Sequence, residues 1–194
     1  EIRHLTVSAL LVSGVGLSML GTGLVDIGPV FVVVLVLLFT SSFLLHEIAH
    51  KIVAQRYGLW AEFRLTLLGA LITLLSIVSP FFKIISPGAV MIAGTASKDA
   101  VGKTAVAGPL TNIIFCIGSF ALTFLLHSPS PYFDVAVFIA AFNAFIAVLN
   151  LIPIGILDGW KVFEWNKIVW FLAFASAVAL TVRILTLYSN FFSL

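Results

Sequence analysis

Residues 27–56 read IGPVFVVVLVLLFTSSFLLHEIAHKIVAQR. From Ile27 to Leu45 the stretch carries no charged side chain over 19 residues. A helix of that length reaches about 28 Å at 1.5 Å per residue, close to the roughly 30 Å of a bilayer's hydrocarbon core. Three ionisable residues, His46, Glu47 and His50, follow within one turn. Such groups at the end of an apolar span are costly and point to function. Two histidines at i and i+4 lie about 40° apart on one helix face, so both can aim a ring nitrogen at one metal ion. Glu47 lies about 100° round from His46, beside that ion. This is the HExxH pattern of zinc hydrolases, in which the glutamate is the general base.

The rest of the chain agrees with a membrane setting. Of 194 residues, 61% are hydrophobic and 9% charged, against roughly 25% charged in a soluble domain. Further uncharged runs cover Leu5–Val25, Thr104–Leu126 and Val135–Leu157. The pattern predicts an all-α polytopic membrane protein, a single domain over residues 1–194. Five spans are expected, at about 5–25, 30–56, 106–127, 133–152 and 167–187. Turns are expected at Asp26-Ile-Gly28-Pro29 and Ser128–Pro131, and the third span is expected to open near Gly108-Pro109. The net charge of +2 forms no basic stripe, which excludes a nucleic-acid partner. A lone Cys116 in an apolar run cannot make an internal disulfide and reads as a small core residue.

The segment between the second and third spans has two readings. Leu65–Phe82 is an uncharged run of 18 residues, long enough to cross by length alone. Gly69, Pro80, Pro87 and Gly88 punctuate it, and Ala61–Leu65 looks extended. If the segment dips in and returns, Arg3, Lys51, Arg56, Arg64, Lys83, Lys98, Lys103, Lys161 and Lys167 share one side, and only Arg183 lies towards the other. That is the bias expected of cytoplasmic loops. A re-entrant element over residues 58–98, carrying a β-loop, is therefore expected, packed on protein or lining a wet cavity.

A hydrolytic zinc takes three protein ligands and keeps one position open. His127 falls at the opposite end of its span and His4 precedes the first one. Asp26 and Asp134 lie in far-side turns, and Glu62, Asp99 and Glu164 in flanking segments. Asp158 ends a 23-residue uncharged run on the side that His46 and His50 approach, and is the expected third ligand.

Together, His46-Glu-Ile-Ala-His50 in an apolar helix and Asn150-Leu-Ile-Pro153-Ile-Gly-Ile-Leu-Asp158-Gly159 resemble the site-2 protease family of intramembrane zinc metalloproteases. Ala107-Gly-Pro-Leu-Thr-Asn112 is similar to the start of that family's third span, and Pro87–Gly94 to its re-entrant β-loop. The resemblance covers roughly residues 29–163. It implies a three-helix catalytic core, one Zn2+ per chain on His46, His50 and Asp158, and Glu47 as catalytic base. It also implies that Asn150, Asn112 and Asn143 contact substrate or order the site. Many members carry an added soluble module, for which this chain offers no segment, and Thr66–Phe82 is an apolar insertion without a counterpart.

The expected activity is hydrolysis of peptide bonds in or near transmembrane segments of substrate proteins. The setting is the cell membrane, with the site towards the cytoplasm and the lipid bilayer as surroundings. The strand around Gly88, Val90 and Ile92 would offer a backbone edge to an unwound substrate. The rival readings are a metal-binding transporter and an inactive relative acting as a scaffold. A transporter needs polar residues across both membrane halves, and Val30–Phe39 has none. The intact HExxH and Asp158 argue against an inactive scaffold.

Overall fold

The computed structural model describes residues 1–21, 28–128 and 130–189. The expected end of the first span at Val25, the Asp26-Ile27 part of the first turn and Pro129 lie outside them. In chain order the elements are α1 (Ile2–Ser18), α2 (Pro29–Arg56), β1 (Trp60–Leu65), α3 (Leu67–Val78), β2 (Gly88–Ala93), α4 (Lys98–Thr123), α5 (Pro131–Leu151), α6 (Asp158–Trp165) and α7 (Lys167–Leu187). Among the described residues four helices, α2, α4, α5 and α7, are long and apolar enough to cross a membrane. The chain is thus a largely helical membrane protein. The first expected span corresponds to α1, whose 17 residues reach about 26 Å. It begins early enough to include His4, which was expected to precede it.

The third span departs from expectation at its start. Ser97 caps α4, its Oγ accepting from the Ala100 amide at 3.1 Å, so the helix opens about ten residues before Gly108-Pro109. Pro109 sits inside the helix, where it forfeits one i→i−4 bond. Membrane helices tolerate this where neighbours pack around the gap, and both α2 and α5 pack along α4.

Residues 60–93 form the expected β-hairpin with a long insertion. β1 and β2 pair antiparallel, with Leu65 opposite Gly88, and the Thr66 amide donates to the Pro87 carbonyl at 3.1 Å. The chain therefore leaves the sheet at Thr66 and comes back to the same place at Pro87. In between, α3 runs out along α1 and residues 79–87 return beside it. Side-chain hydroxyls stitch the two legs: Ser76 Oγ accepts from the Ile84 amide at 2.9 Å and Thr73 Oγ1 from the Ser86 amide at 3.2 Å. Lys83 donates to Ser18 Oγ and to the Ser76 carbonyl, each at 2.9 Å. His4 Nδ1 accepts from the Leu65 amide at 3.3 Å, at the sheet. Ser18 lies 14 residues further along α1, about 21 Å away. Lys83 thus sits at the tip of the excursion, away from the cationic group to which charge counting assigned it.

Two apolar cores flank a polar layer. One joins α1, α2 and α5 through Val12, Val15, Leu35, Phe39, Phe138 and Phe142. The other joins α4 to α7 through Val106, Ile113, Ala147, Leu151, Val162 and Ala177. Helices in lipid gain nothing from hydrophobic transfer against one another, so close packing and interhelical hydrogen bonds must hold them. The polar layer between α2, α4 and α5 supplies such bonds through Ser42, His46, Asn112 and Asn143, all buried.

Candidate metal centre

The HExxH turn of α2 buries His46, Glu47 and His50. The Nε2 atoms of the two histidines are 3.0 Å apart. Asp158 Oδ2 completes a triangle, 3.5 Å from His46 Nε2 and 3.1 Å from His50 Nε2. Among the described residues no other trio of His, Cys, Asp or Glu comes together in this way.

Asp158 is delivered by a break in the helices. α5 ends at Leu151, Ile152 is extended, and Pro153 follows, where a helix would lack a backbone donor. The chain turns through residues 152–157 and restarts as α6 with Asp158 first. Gly159 lies so close to the Leu151 carbonyl that any side chain there would collide with it, which gives the Asp-Gly pair a steric reason. The far end of α6 is also anchored. Trp165 lies over Gly102 of α4 and donates from Nε1 to Asp99 Oδ1 at 3.2 Å.

Hydrogen bonds on the other ring nitrogens fix what the Nε2 atoms can do. His50 Nδ1 is 2.7 Å from the Thr104 carbonyl, which can only accept, so the neutral ring carries its proton on Nδ1. His46 Nδ1 is 2.5 Å from Asn112 Oδ1 and is protonated for the same reason. Two nitrogen lone pairs and a carboxylate oxygen therefore converge, an arrangement that repels itself unless a cation sits among them. A tetrahedral zinc with bonds of about 2.0–2.1 Å needs donors about 3.3 Å apart, and the observed edges of 3.0, 3.1 and 3.5 Å bracket that value. The donor set fits zinc with one position open.

The trio opens on a cavity of about 340 Å³, which Glu47 and Asn150 also line. Gly88, Val90 and Ile92 form part of its wall, and the ladder shows why those three matter. The Thr66–Pro87 bond sets the alternation, so the amides and carbonyls of residues 88, 90 and 92 turn away from β1. On β1 two of the corresponding outward amides are taken by the first turn of the chain: Phe63 donates to Glu1 Oε1, just before α1, and Leu65 to His4 Nδ1 of α1, each at 3.3 Å. The Lys51 ammonium, 2.6 Å from Glu1 Oε2, holds the Glu1 carboxyl below its usual range. One edge of the hairpin is capped, and the other faces the cavity.

Asn112 and Asn143 lie in the polar layer behind His46, bonded to each other at 2.9 Å, and are not part of the cavity wall. Sequence reasoning did not single out three contributors. Gly108 approaches both histidine Nε2 atoms so closely that a Cβ would overlap them. Thr104 orients His50. Lys161 lines the cavity with its Nζ 3.5 Å from Asp158 Oδ1. Its i+3 spacing from Asp158 was the available signal.

Comparison with known proteins adds one relative and two negative results. No family model matches the chain, and no solved structure matches it. A curated protein of Methanocaldococcus jannaschii named "putative zinc metalloprotease" is 35% identical over 131 residues, covering 67% of this chain and 69% of the relative. That identity over two thirds of both chains joins a donor triangle suited to zinc, and the chain belongs to the family of that zinc metalloprotease.

Proposed function

We propose that the protein is an intramembrane zinc metalloprotease of the site-2 protease type, hydrolysing peptide bonds in or near transmembrane segments of its substrates. The observation that carries the proposal is the triangle of His46 Nε2, His50 Nε2 and Asp158 Oδ2, built on a helix long and apolar enough to cross a membrane. These three atoms would hold one zinc per chain. When bound, the ion supplies Lewis acidity to the scissile carbonyl and acidifies a water.

The chain's own residues do the rest. Glu47, buried beside the trio and lining the cavity, accepts a proton from the attacking water and returns it to the leaving amine. A transmembrane substrate must unwind locally, and each amide or carbonyl it frees costs several kcal/mol in lipid unless paired. Gly88, Val90 and Ile92 pair with the unwound stretch as an added strand, and Asn150 serves its remaining polar groups. Residues 58–98 act as a re-entrant element, α1 completes five spans, and the protein sits in the cell membrane with the site towards the cytoplasm. That orientation follows from Arg3, Lys51, Arg56, Arg64, Lys98, Lys103, Lys161 and Lys167 gathering at one end.

The test is metal analysis of purified protein together with cleavage of a transmembrane model peptide. One zinc per chain, lost in His46→Ala and Asp158→Asn, is expected, as is cleavage that Glu47→Gln abolishes while keeping its zinc. Full zinc in both ligand variants, or wild-type cleavage by Glu47→Gln, would overturn the proposal.

A further inference from the structure

We infer that Asn143 sets the tautomer of His46 through Asn112, so that zinc binding depends on a side chain with no hydrogen bond to any of the three donors. The inference rests on the zinc reading above and deepens it.

Two backbone carbonyls, which can only accept, fix the direction of the relay. Ser42 Oγ donates to the Leu38 carbonyl at 2.9 Å, which leaves its lone pairs to accept from Asn143 Nδ2 at 3.0 Å. The same Nδ2 donates to the Ile139 carbonyl at 3.0 Å. Both partners need a donor, so the Asn143 nitrogen is fixed on that side and its oxygen faces Asn112. That oxygen accepts from Asn112 Nδ2 at 2.9 Å. The carboxamide of Asn112 is thereby oriented in turn, presenting Oδ1 to His46 Nδ1. Nδ1 must carry the ring proton, and Nε2 is left as a lone pair towards Asp158 and His50.

Burial makes this relay binding. Asn112 and Asn143 are both 0% exposed and Ser42 is 1% exposed, so bulk water does not compete for these bonds. Without the Asn143 oxygen, Asn112 can turn its amide nitrogen to His46. Nδ1 then becomes the acceptor and Nε2 acquires the proton, and a protonated Nε2 cannot ligate. Outer partners of metal-binding histidines are generally worth 10–100-fold in metal affinity. Asn143 is a positioning residue of this kind, two hydrogen bonds removed from the ring.

The experiment is zinc affinity measured by competition with a chelator. Asn143→Leu should bind zinc about 10–100-fold more weakly than wild type. Asn143→Asp, which can still accept from Asn112, should stay within roughly threefold of wild type. The decisive variant is the double Asn112→Asp, Asn143→Leu. A carboxylate at 112 accepts from His46 Nδ1 whichever way it is turned, so affinity should return despite the loss of Asn143. A merely structural role for Asn143 in packing α5 would not be rescued this way. Wild-type affinity in Asn143→Leu, or a double variant as weak as Asn143→Leu alone, overturns the inference. If Asn143→Leu does not fold, Asn143→Asp decides: a loss as large as that of Asp158→Asn overturns the relay. Wild-type protein that takes up no zinc would instead end the zinc reading itself.

Discussion

Gly108 of α4 lies against His50 of α2 so closely that a single methyl group at its Cα would overlap the Nε2 and Cε1 atoms of the ring. The backbone of α4 is therefore one wall of the metal centre. Replacing a helical glycine by alanine ordinarily stabilises a helix by about 0.5–1 kcal/mol. Gly108→Ala should do the reverse for metal: the rings must swing away, and zinc affinity should fall about 10–100-fold with helix content unchanged by circular dichroism. Retention of full zinc affinity would mean that the histidines have room to spare.

The position of Asp158 depends on both ends of α6. Its first turn rests on the Leu151 carbonyl through Gly159, and its last residue rests on Gly102 and Asp99 through Trp165. Trp165→Ala removes the distal anchor at a half-buried site, where full burial would make the loss about 3–5 kcal/mol. A loss near the lower end or below is expected in thermal unfolding, accompanied by a severalfold weaker zinc affinity. Trp165→Phe, which keeps the ring over Gly102 but lacks the Nε1 donor, should fall between. Unchanged zinc affinity in Trp165→Ala would show that the proximal contact alone aims the aspartate.

Leu65 and Gly88 are register partners, so the apolar excursion between them begins and ends at one place. Single cysteines replacing Arg64 and Lys98 should both react with a membrane-impermeant thiol reagent from the same face of sealed vesicles. A cysteine at Lys83, about 20 Å along α1 from the sheet, should resist from that face. Labelling of Arg64→Cys and Lys98→Cys from opposite faces would refute the re-entrant topology.

Local rules explain what could be read in advance and what could not. The HExxH pair follows from helical periodicity, and Asp158 from the parity of uncharged runs, so the convergence of these three side chains was legible without coordinates. The start of α4 was not, because Gly108-Pro109 carries the chemistry of a helix opening, and only packing by α2 and α5 makes an interior proline tolerable there. The outlying position of Lys83 was hidden for a related reason: counting charges assumes that a loop's residues share the depth of its ends. α6 was missed because its far end is anchored across more than fifty residues, by the bond from Trp165 to Asp99. The roles of Gly108 and Thr104 lie in backbone atoms, which sequence patterns rarely announce.

The free edge of β2 gives the sharpest test of how substrate is held. Proline removes one backbone donor and fixes φ near −65°, and edge strands accept it where the lost N–H points away from the ladder. Val90 and Ile92 meet that condition, since the amides that pair with β1 belong to the alternate residues 89, 91 and 93. Val90→Pro should therefore keep the hairpin, the fold and the zinc while losing an outward donor that an added substrate strand needs. Met91→Pro is the contrast, because it removes a ladder bond and should loosen the hairpin itself. If strand addition holds the substrate, Val90→Pro should cut cleavage of a transmembrane peptide by at least about tenfold, the equivalent of 1.4 kcal/mol, a loss within the range of one hydrogen bond. The fall should appear mainly as weaker substrate binding, with bound zinc and thermal stability near wild type. Cleavage at the wild-type rate by folded, zinc-loaded Val90→Pro would mean that the substrate does not pair with β2, and the groups that hold it would have to lie elsewhere along the cavity wall, with Asn150 the first to replace.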